Sequence, residues 1–161
     1  MKRAVFLVAA GATISAVWLM AQAPEVSLVE GFRTVEVASV SDAMEQLYGQ
    51  RGYMSHDMRP LSPTKFAGPA VTVQLKKEEH KEGSPASQGM LDAIDNSPSG
   101  SVYVMVLEDG LDYAGIGGLM ATAMKYRGFA GAIIDASVRD IPQIRTNPNL
   151  SPSLRRESSR I

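Results

Sequence analysis

Residues 102–140 read VYVMVLEDGLDYAGIGGLMATAMKYRGFAGAIIDASVRD, and this stretch decides the fold. Val102–Leu107 is an apolar, β-branched run of the kind that forms a buried strand. Gly115, Gly117 and Gly118 come next and open a helical stretch in which Leu119, Met120, Ala123 and Met124 fall at near-helical spacing. Gly128 supplies the stop. Ala132–Asp135 is a second short buried strand. Two parallel strands joined by a helix make a right-handed βαβ unit. The turns after its two strands lie at one carboxyl edge of the sheet, where ligands bind in open α/β folds. The glycine turn and Arg139-Asp140 are therefore expected to face each other.

Around this unit, 161 residues suggest a single domain, with 45% hydrophobic and 20% charged residues as in ordinary globular chains. A net charge of −1 gives no electrostatic case for nucleic acid as a partner. The absence of cysteine excludes disulfides, thiolate metal sites, a cysteine nucleophile and a lipidated cysteine anchor.

The N-terminus has the pattern of a signal peptide. Met1-Lys2-Arg3 is basic, Ala4–Met20 is uncharged, and Ala21-Gln22-Ala23 gives A-x-A spacing. Its 17 uncharged residues, interrupted by Gly11, Thr13 and Ser15, are marginal for a membrane span. Cleavage is expected after Ala23, or after Ala21 because Pro24 directly succeeds Ala23, giving an exported protein with no membrane segment left. Removing Lys2 and Arg3 takes the net charge from −1 to −3.

Between this segment and the βαβ unit the expected elements are short. Pro24–Arg33 is a helix or an extended lead-in. Ser39 with Asp42 fits a capping-box start, and Val40, Ala43, Met44 and Leu47 make one apolar face of a packing helix that Gly49 and Gly52 end. Residues 53–65 read as a loop, where His56 and Asp57 lack a third metal ligand nearby. Ala70–Leu75 is a strand, 76–82 a solvated charged turn carrying His80, and Ser87–Asp95 a helix closed by the turn Asn96–Gly100. Beyond Asp140, Ile141–Ile144 reads as one helical turn that Asp140 could cap. Thr146–Ile161 has the composition of a disordered tail.

The chemistry at the two turns is specific in type. The first N–H groups of a helix lack internal partners and sit at the positive end of its dipole, so the turn at Gly117-Gly118-Leu119-Met120 suits a carboxylate or phosphate. Arg139 offers a planar fork for a carboxylate, and Asp140 a hard oxygen for magnesium or manganese. Nucleotide or S-adenosylmethionine binding through Gly115–Gly118 is a competing reading. Against it, GIGG is not G-x-G-x-x-G, although Asp135 lies 17 residues after Gly118. A protein-interaction module without chemistry is another.

ValSerAspAla at 40–43, AlaGlyProAlaValThrVal at 67–73, Gly117-Gly118, AlaMetLysTyrArgGly at 123–128 and AspAlaSerValArgAsp at 135–140 together resemble one family. It comprises the regulator of ribonuclease activity A (RraA)-like proteins and the 4-hydroxy-4-methyl-2-oxoglutarate aldolases; an older name for some members is demethylmenaquinone methyltransferase. The resemblance covers about residues 35–145, and its most specific part is Gly118, twenty residues, then Arg139-Asp140. It implies a swivelling β/β/α fold of the α/β class around the βαβ unit, assembled as trimers or hexamers. It also implies an enzyme: a magnesium- or manganese-dependent lyase of small α-keto acids, of the aldolase and oxaloacetate decarboxylase type. By the same resemblance the amides around Gly117, Gly118, Leu119 and Met120 hold the substrate carboxylate. Arg139 binds the keto-acid end as a catalytic group, and Asp140 anchors the metal. Active members with glycine at the position of Gly118 carry Glu or Asp three residues after the matched aspartate. Here Gln143 stands there, a neutral partner that leaves an impaired enzyme or a non-catalytic binding protein as the alternatives, with a methyltransferase third. The expected organisation is a signal peptide over 1–23, an RraA-like domain over 24–145 and a non-family tail over 146–161. On this reading the fold is truncated at its C-terminus, with a sheet edge left open.

Overall fold

A computed structural model describes residues 27–61, 65–76, 86–108, 113–146 and 153–156, with residues 146 and 153–156 described by their backbone alone. The expected signal peptide, His80 and most of the charged turn lie outside them. Among the described residues no helix is long and apolar enough to cross a membrane.

The elements run α1 (Leu28–Thr34), α2 (Val37–Tyr48), β1 (Met58–Pro60), β2 (Ala70–Leu75), α3 (Ala86–Asp95), β3 (Val102–Leu107), β4 (Ala114–Ile116), α4 (Gly118–Tyr126), β5 (Gly131–Asp135), β6 (Ser137–Val138), α5 (Ile141–Thr146) and β7 (Ser153–Arg156). Five strands form one sheet in the order β1-β7-β5-β3-β2, parallel except where β1 meets β7. The apolar runs 70–75, 102–107 and 131–135 lie side by side. Val71 pairs with Tyr103 and Tyr103 with Ala132; Val73 pairs with Met105 and Met105 with Ile134. Since side chains alternate faces along a strand, these residues share one face. Tyr103, Met105 and Ile134 are fully buried there, in one core with Ile94 of α3 and Met124 of α4. Each such Ile or Met contributes roughly 1.5–3 kcal/mol of burial.

The βαβ expectation holds for β3, α4 and β5, but two strands were not anticipated inside it. β4 and β6 pair in parallel as a separate two-stranded sheet. The glycine turn therefore comes after β4 rather than β3, and Arg139-Asp140 after β6 rather than β5. Strands of three and two residues carry no periodicity to read. α4 ends in a Schellman arrangement: Phe129 N–H reaches Met124 O at 3.0 Å and Gly128 N–H reaches Lys125 O at 2.8 Å, with Gly128 at φ 78.

Three further expectations are corrected. The second helix begins at Val37 with Glu36 as its N-cap and no side-chain cap bond, so Ser39 and Asp42 lie inside it and form no capping box. That helix buries no residue, and Leu47 on its apolar face is exposed. Residues 58–60, expected as loop, form β1. Within the expected tail, Ser153–Arg156 is strand: β7 lies parallel to β5 and antiparallel to β1, so the edge of β5 is paired. Ladder hydrogen bonds come from the backbone and need no apolar side chains, which is why composition hides such a strand.

The Tyr103 hydroxyl is buried without a hydrogen-bond partner among the described residues, its ring meeting Phe129 edge-on at 6.2 Å. Burial pushes its pKa from 10.0 up to about 12. The unfolded chain ionises near 10 and the folded chain near 12. This group's contribution is therefore intact below pH 10 and is lost between about pH 10 and 12. Tyr103→Phe is expected to raise unfolding stability by about 1 kcal/mol at neutral pH, by removing an unsatisfied polar group. It should also remove part of the alkaline destabilisation; urea midpoints of both proteins at about pH 9 and about pH 11 check both effects.

Candidate functional site

β4 and β6 bring the two halves of the site together. Their register pairs Ala114 with Ser137 and Ile116 with Val138, with an irregularity at Gly115. An extra residue of this kind bends a strand and re-aims the side chains beyond it. Arg139 N–H then donates to Ile116 O at 3.1 Å, carrying the pairing to the mouth of the site.

There, Gly117 is extended and is the N-cap of α4, with no side-chain cap of its own. The first intrahelical bond runs from Ala121 N–H to Gly117 O, so the N–H groups of Gly118, Leu119 and Met120 precede the ladder. Gly118 N–H donates to Asp140 Oδ2 at 3.0 Å. Arg139 Nε lies 3.7 Å from the same oxygen. The glycine turn and Arg139-Asp140 thus do face each other, as the parallel strand–helix–strand topology predicts.

Close approach explains both glycines. A Cβ on Gly117 would fall 2.7 Å from both Arg139 Nε and Asp140 Oδ2. A Cβ on Gly118 would fall 2.5 Å from Gln143 Oε1. Gln143, on the first turn of α5, therefore stands over Gly118, the residue whose N–H holds the Asp140 carboxylate.

The side chains differ in access. Arg139 is 74% exposed and Asp140 44%. Leu119 is 83% exposed, so only its backbone belongs to the site, while Met120 is partly buried against the core. Asp140 occupies the left-handed region at φ 60, the one non-glycine residue to do so among those described. Aspartate tolerates this better than most residues. Its side chain reaches the start of α4, and its backbone oxygen accepts from Ile144 N–H of α5 at 3.0 Å.

As a metal site the arrangement offers one carboxylate, Asp140, with the neutral Gln143 amide over Gly118 as an outer partner. No group of three or more His, Cys, Asp or Glu residues comes together among the described residues. That does not fit an all-protein cage. It does fit magnesium, which binds through one or two carboxylates, keeps several waters and takes further oxygens from its substrate. His56 and Asp57 lie apart in a turn, Nε2 to Oδ1 at 3.2 Å, with Ser55 Oγ donating to Asp57 Oδ2 at 3.1 Å. Gly115 lies within β4 and Gly117 is the N-cap of α4.

The RraA-like family model (Aldolase/RraA) matches residues 37–151. A Halalkalibacterium halodurans protein provisionally named 4-hydroxy-4-methyl-2-oxoglutarate aldolase is 28% identical over 123 residues, covering 76% of this chain and 53% of that protein. The crystal structure of Streptomyces coelicolor RraAS2, described as an unusual member of the RNase ES inhibitor RraA family, has a TM-score of 0.67 at 22% identity, covering 84% of this chain and 64% of its own. A structure described under novel cellulases from gut-associated microbes has a TM-score of 0.71 at 19% identity, covering 84% of this chain and 60% of its own. At these identities the structures show a shared fold alone. The chain spans about half the length of the curated relative it matches.

Proposed function

From a chain that belongs to the RraA-like family, we propose a divalent-metal-dependent C–C lyase of small α-keto acids, of the 4-hydroxy-4-methyl-2-oxoglutarate aldolase and oxaloacetate decarboxylase type. The observation that carries the proposal is the meeting of the Gly118 N–H, the Arg139 guanidinium and the Asp140 carboxylate at one point. Donors for a carboxylate and an oxygen ligand for a hard cation are the two things a chelating keto acid needs.

In this reading the amides at 117–120 and the dipole of α4 orient the substrate carboxylate. Arg139 lies against the keto oxygen, where negative charge develops as the C–C bond of oxaloacetate breaks, carbon dioxide leaves and the bond's electron pair enters the enolate of pyruvate. A guanidinium fixed there stabilises the transition state more than the ground state. Asp140 would hold magnesium or manganese, directly or through water, with Gln143 as an outer partner. Such an ion supplies Lewis-acid polarisation of the keto acid. The exposed Leu119 and Tyr126 of α4 support a homo-oligomer, a trimer or hexamer, and a monomeric mass by light scattering would contradict it. Residues 1–23 give an exported protein on this proposal; N-terminal sequencing of exported protein should begin at Pro24 or Gln22.

The test is pyruvate release from oxaloacetate by the purified protein with magnesium or manganese. Metal-dependent release above the buffer rate is expected, and its absence in folded protein sinks the lyase reading. One observation favours a second reading, a non-catalytic RraA-like binding protein: the side chain over Gly118 is the neutral Gln143. Gln143→Glu discriminates. A second carboxylate at that place is expected to tighten manganese binding about tenfold, on the scale of changes around metal ligands. Electron paramagnetic resonance titration measures this without reference to turnover. Tighter metal binding together with newly gained turnover would identify the natural protein as the non-catalytic form.

A further inference from the structure

We propose that Asp140 keeps this site self-occupied, its carboxylate standing where an incoming carboxylate must bind, so that the site opens to anions only when Asp140 leaves the Gly118 amide. The inference rests on the keto-acid reading above and concerns how that site is regulated.

One oxygen carries it. Asp140 Oδ2 accepts from Gly118 N–H at 3.0 Å and lies 3.7 Å from Arg139 Nε. A Cβ on Gly117 would meet that same oxygen and that same nitrogen at 2.7 Å each. Two of the groups assigned to the ligand, the Gly118 amide and the Arg139 guanidinium, thus converge on a carboxylate oxygen of the protein itself. The end of α4 has no cap of its own, and Asp140 provides one from 22 residues away. It does so from a left-handed backbone that most residues avoid.

The site then has two states. In the closed state Asp140 holds the Gly118 amide and neutralises Arg139. In the open state Asp140 swings off, the amide takes the ligand carboxylate and the guanidinium takes the ligand oxygen next to it. A second negative charge cannot approach the closed site without repulsion, which at about 4 Å in water amounts to roughly a fivefold loss of affinity. A divalent cation drawn to Asp140 removes that charge from the anion's path. Cation and anion binding are then positively coupled, each strengthening the other by the same factor.

The test measures oxalate binding to the full-length protein by calorimetry, in EDTA and in magnesium, for the natural protein, Asp140→Gly and Asp140→Asn. Glycine tolerates the left-handed backbone and removes the competing carboxylate. Asparagine keeps an acceptor for the Gly118 amide and removes only the charge. Without metal, Asp140→Gly is expected to bind oxalate at least about fivefold more tightly than the natural protein, with Asp140→Asn between them. Magnesium should tighten oxalate in the natural protein and not in Asp140→Gly. The Gly118 amide resonance should shift on adding metal-free oxalate to Asp140→Gly more than in the natural protein. Equal oxalate affinities, within about twofold, in natural and variant proteins with native amide spectra would overturn self-occupation while leaving the keto-acid site standing. Failure of all three to bind oxalate, with or without magnesium, would overturn both.

Discussion

On the proposed lyase reading, Arg139→Ala is expected to lower kcat/KM for oxaloacetate by about 10²–10³-fold, the cost of removing one preorganised donor from a developing oxyanion. The loss should fall mainly on kcat, because the guanidinium matters most once charge has built up on the keto oxygen. Arg139→Lys should recover part of it: the lysine keeps the charge and loses the planar fork. Neither change should move the unfolding midpoint, since the side chain is 74% exposed. That combination, a large kinetic loss with unchanged urea denaturation, separates a catalytic group from a structural one. An Arg139→Ala protein with unaltered turnover would remove Arg139 from the chemistry.

Gly68→Ala is expected to have the largest effect on folding, about 3 kcal/mol or more. A Cβ at this position would run into the backbone carbonyl of Gly100 and come 3.3 Å from Val102 Cγ2. The contact is with main chain rather than with the end of a flexible side chain, so relief means separating two backbone segments. These segments lead into β2 and β3 and are joined by Val102 N–H to Pro69 O at 2.8 Å. Moving them apart would cost that bond and disturb the neighbouring core around Tyr103. Urea denaturation of Gly68→Ala measures the effect, and a loss below about 1 kcal/mol would mean that the two segments are not held in contact. Gly118→Ala offers a contrast. Its Cβ meets only the far end of Gln143, which can rotate away, so folding should change little while the mouth of the site is crowded.

The central sheet was legible because its strands are made of what buried parallel strands require. Val102–Leu107 is apolar and β-branched and lies inside the sheet, while Ala70–Leu75, which alternates with Thr72 and Gln74, forms its half-exposed edge. The meeting of the glycine turn with Arg139-Asp140 was legible from topology, since a βαβ crossover returns the chain to the same edge. The small sheet that delivers the two halves was not, because Ser137-Val138 is too short for any pattern and Ala114-Gly115-Ile116 looks like a turn. β7 was hidden by its arginines, since it is held by backbone pairing on both sides. The apolar stripe of α2 was read correctly from spacing, but spacing does not reveal whether anything covers a stripe. At the site itself, residue types pointed to Asp140 but not to its behaviour. Its left-handed backbone and its reach to Gly118 are tertiary facts, set by how β6 and α5 join.

The most direct measurement of where a keto acid binds is an amide and arginine side-chain resonance titration of the labelled protein with oxalate in the presence of magnesium. The resonances of Gly117 to Met120 and the Nε–H of Arg139 are expected to move together along one saturating curve. Saturation that moves other resonances and leaves these in place would put the ligand elsewhere and contradict the site.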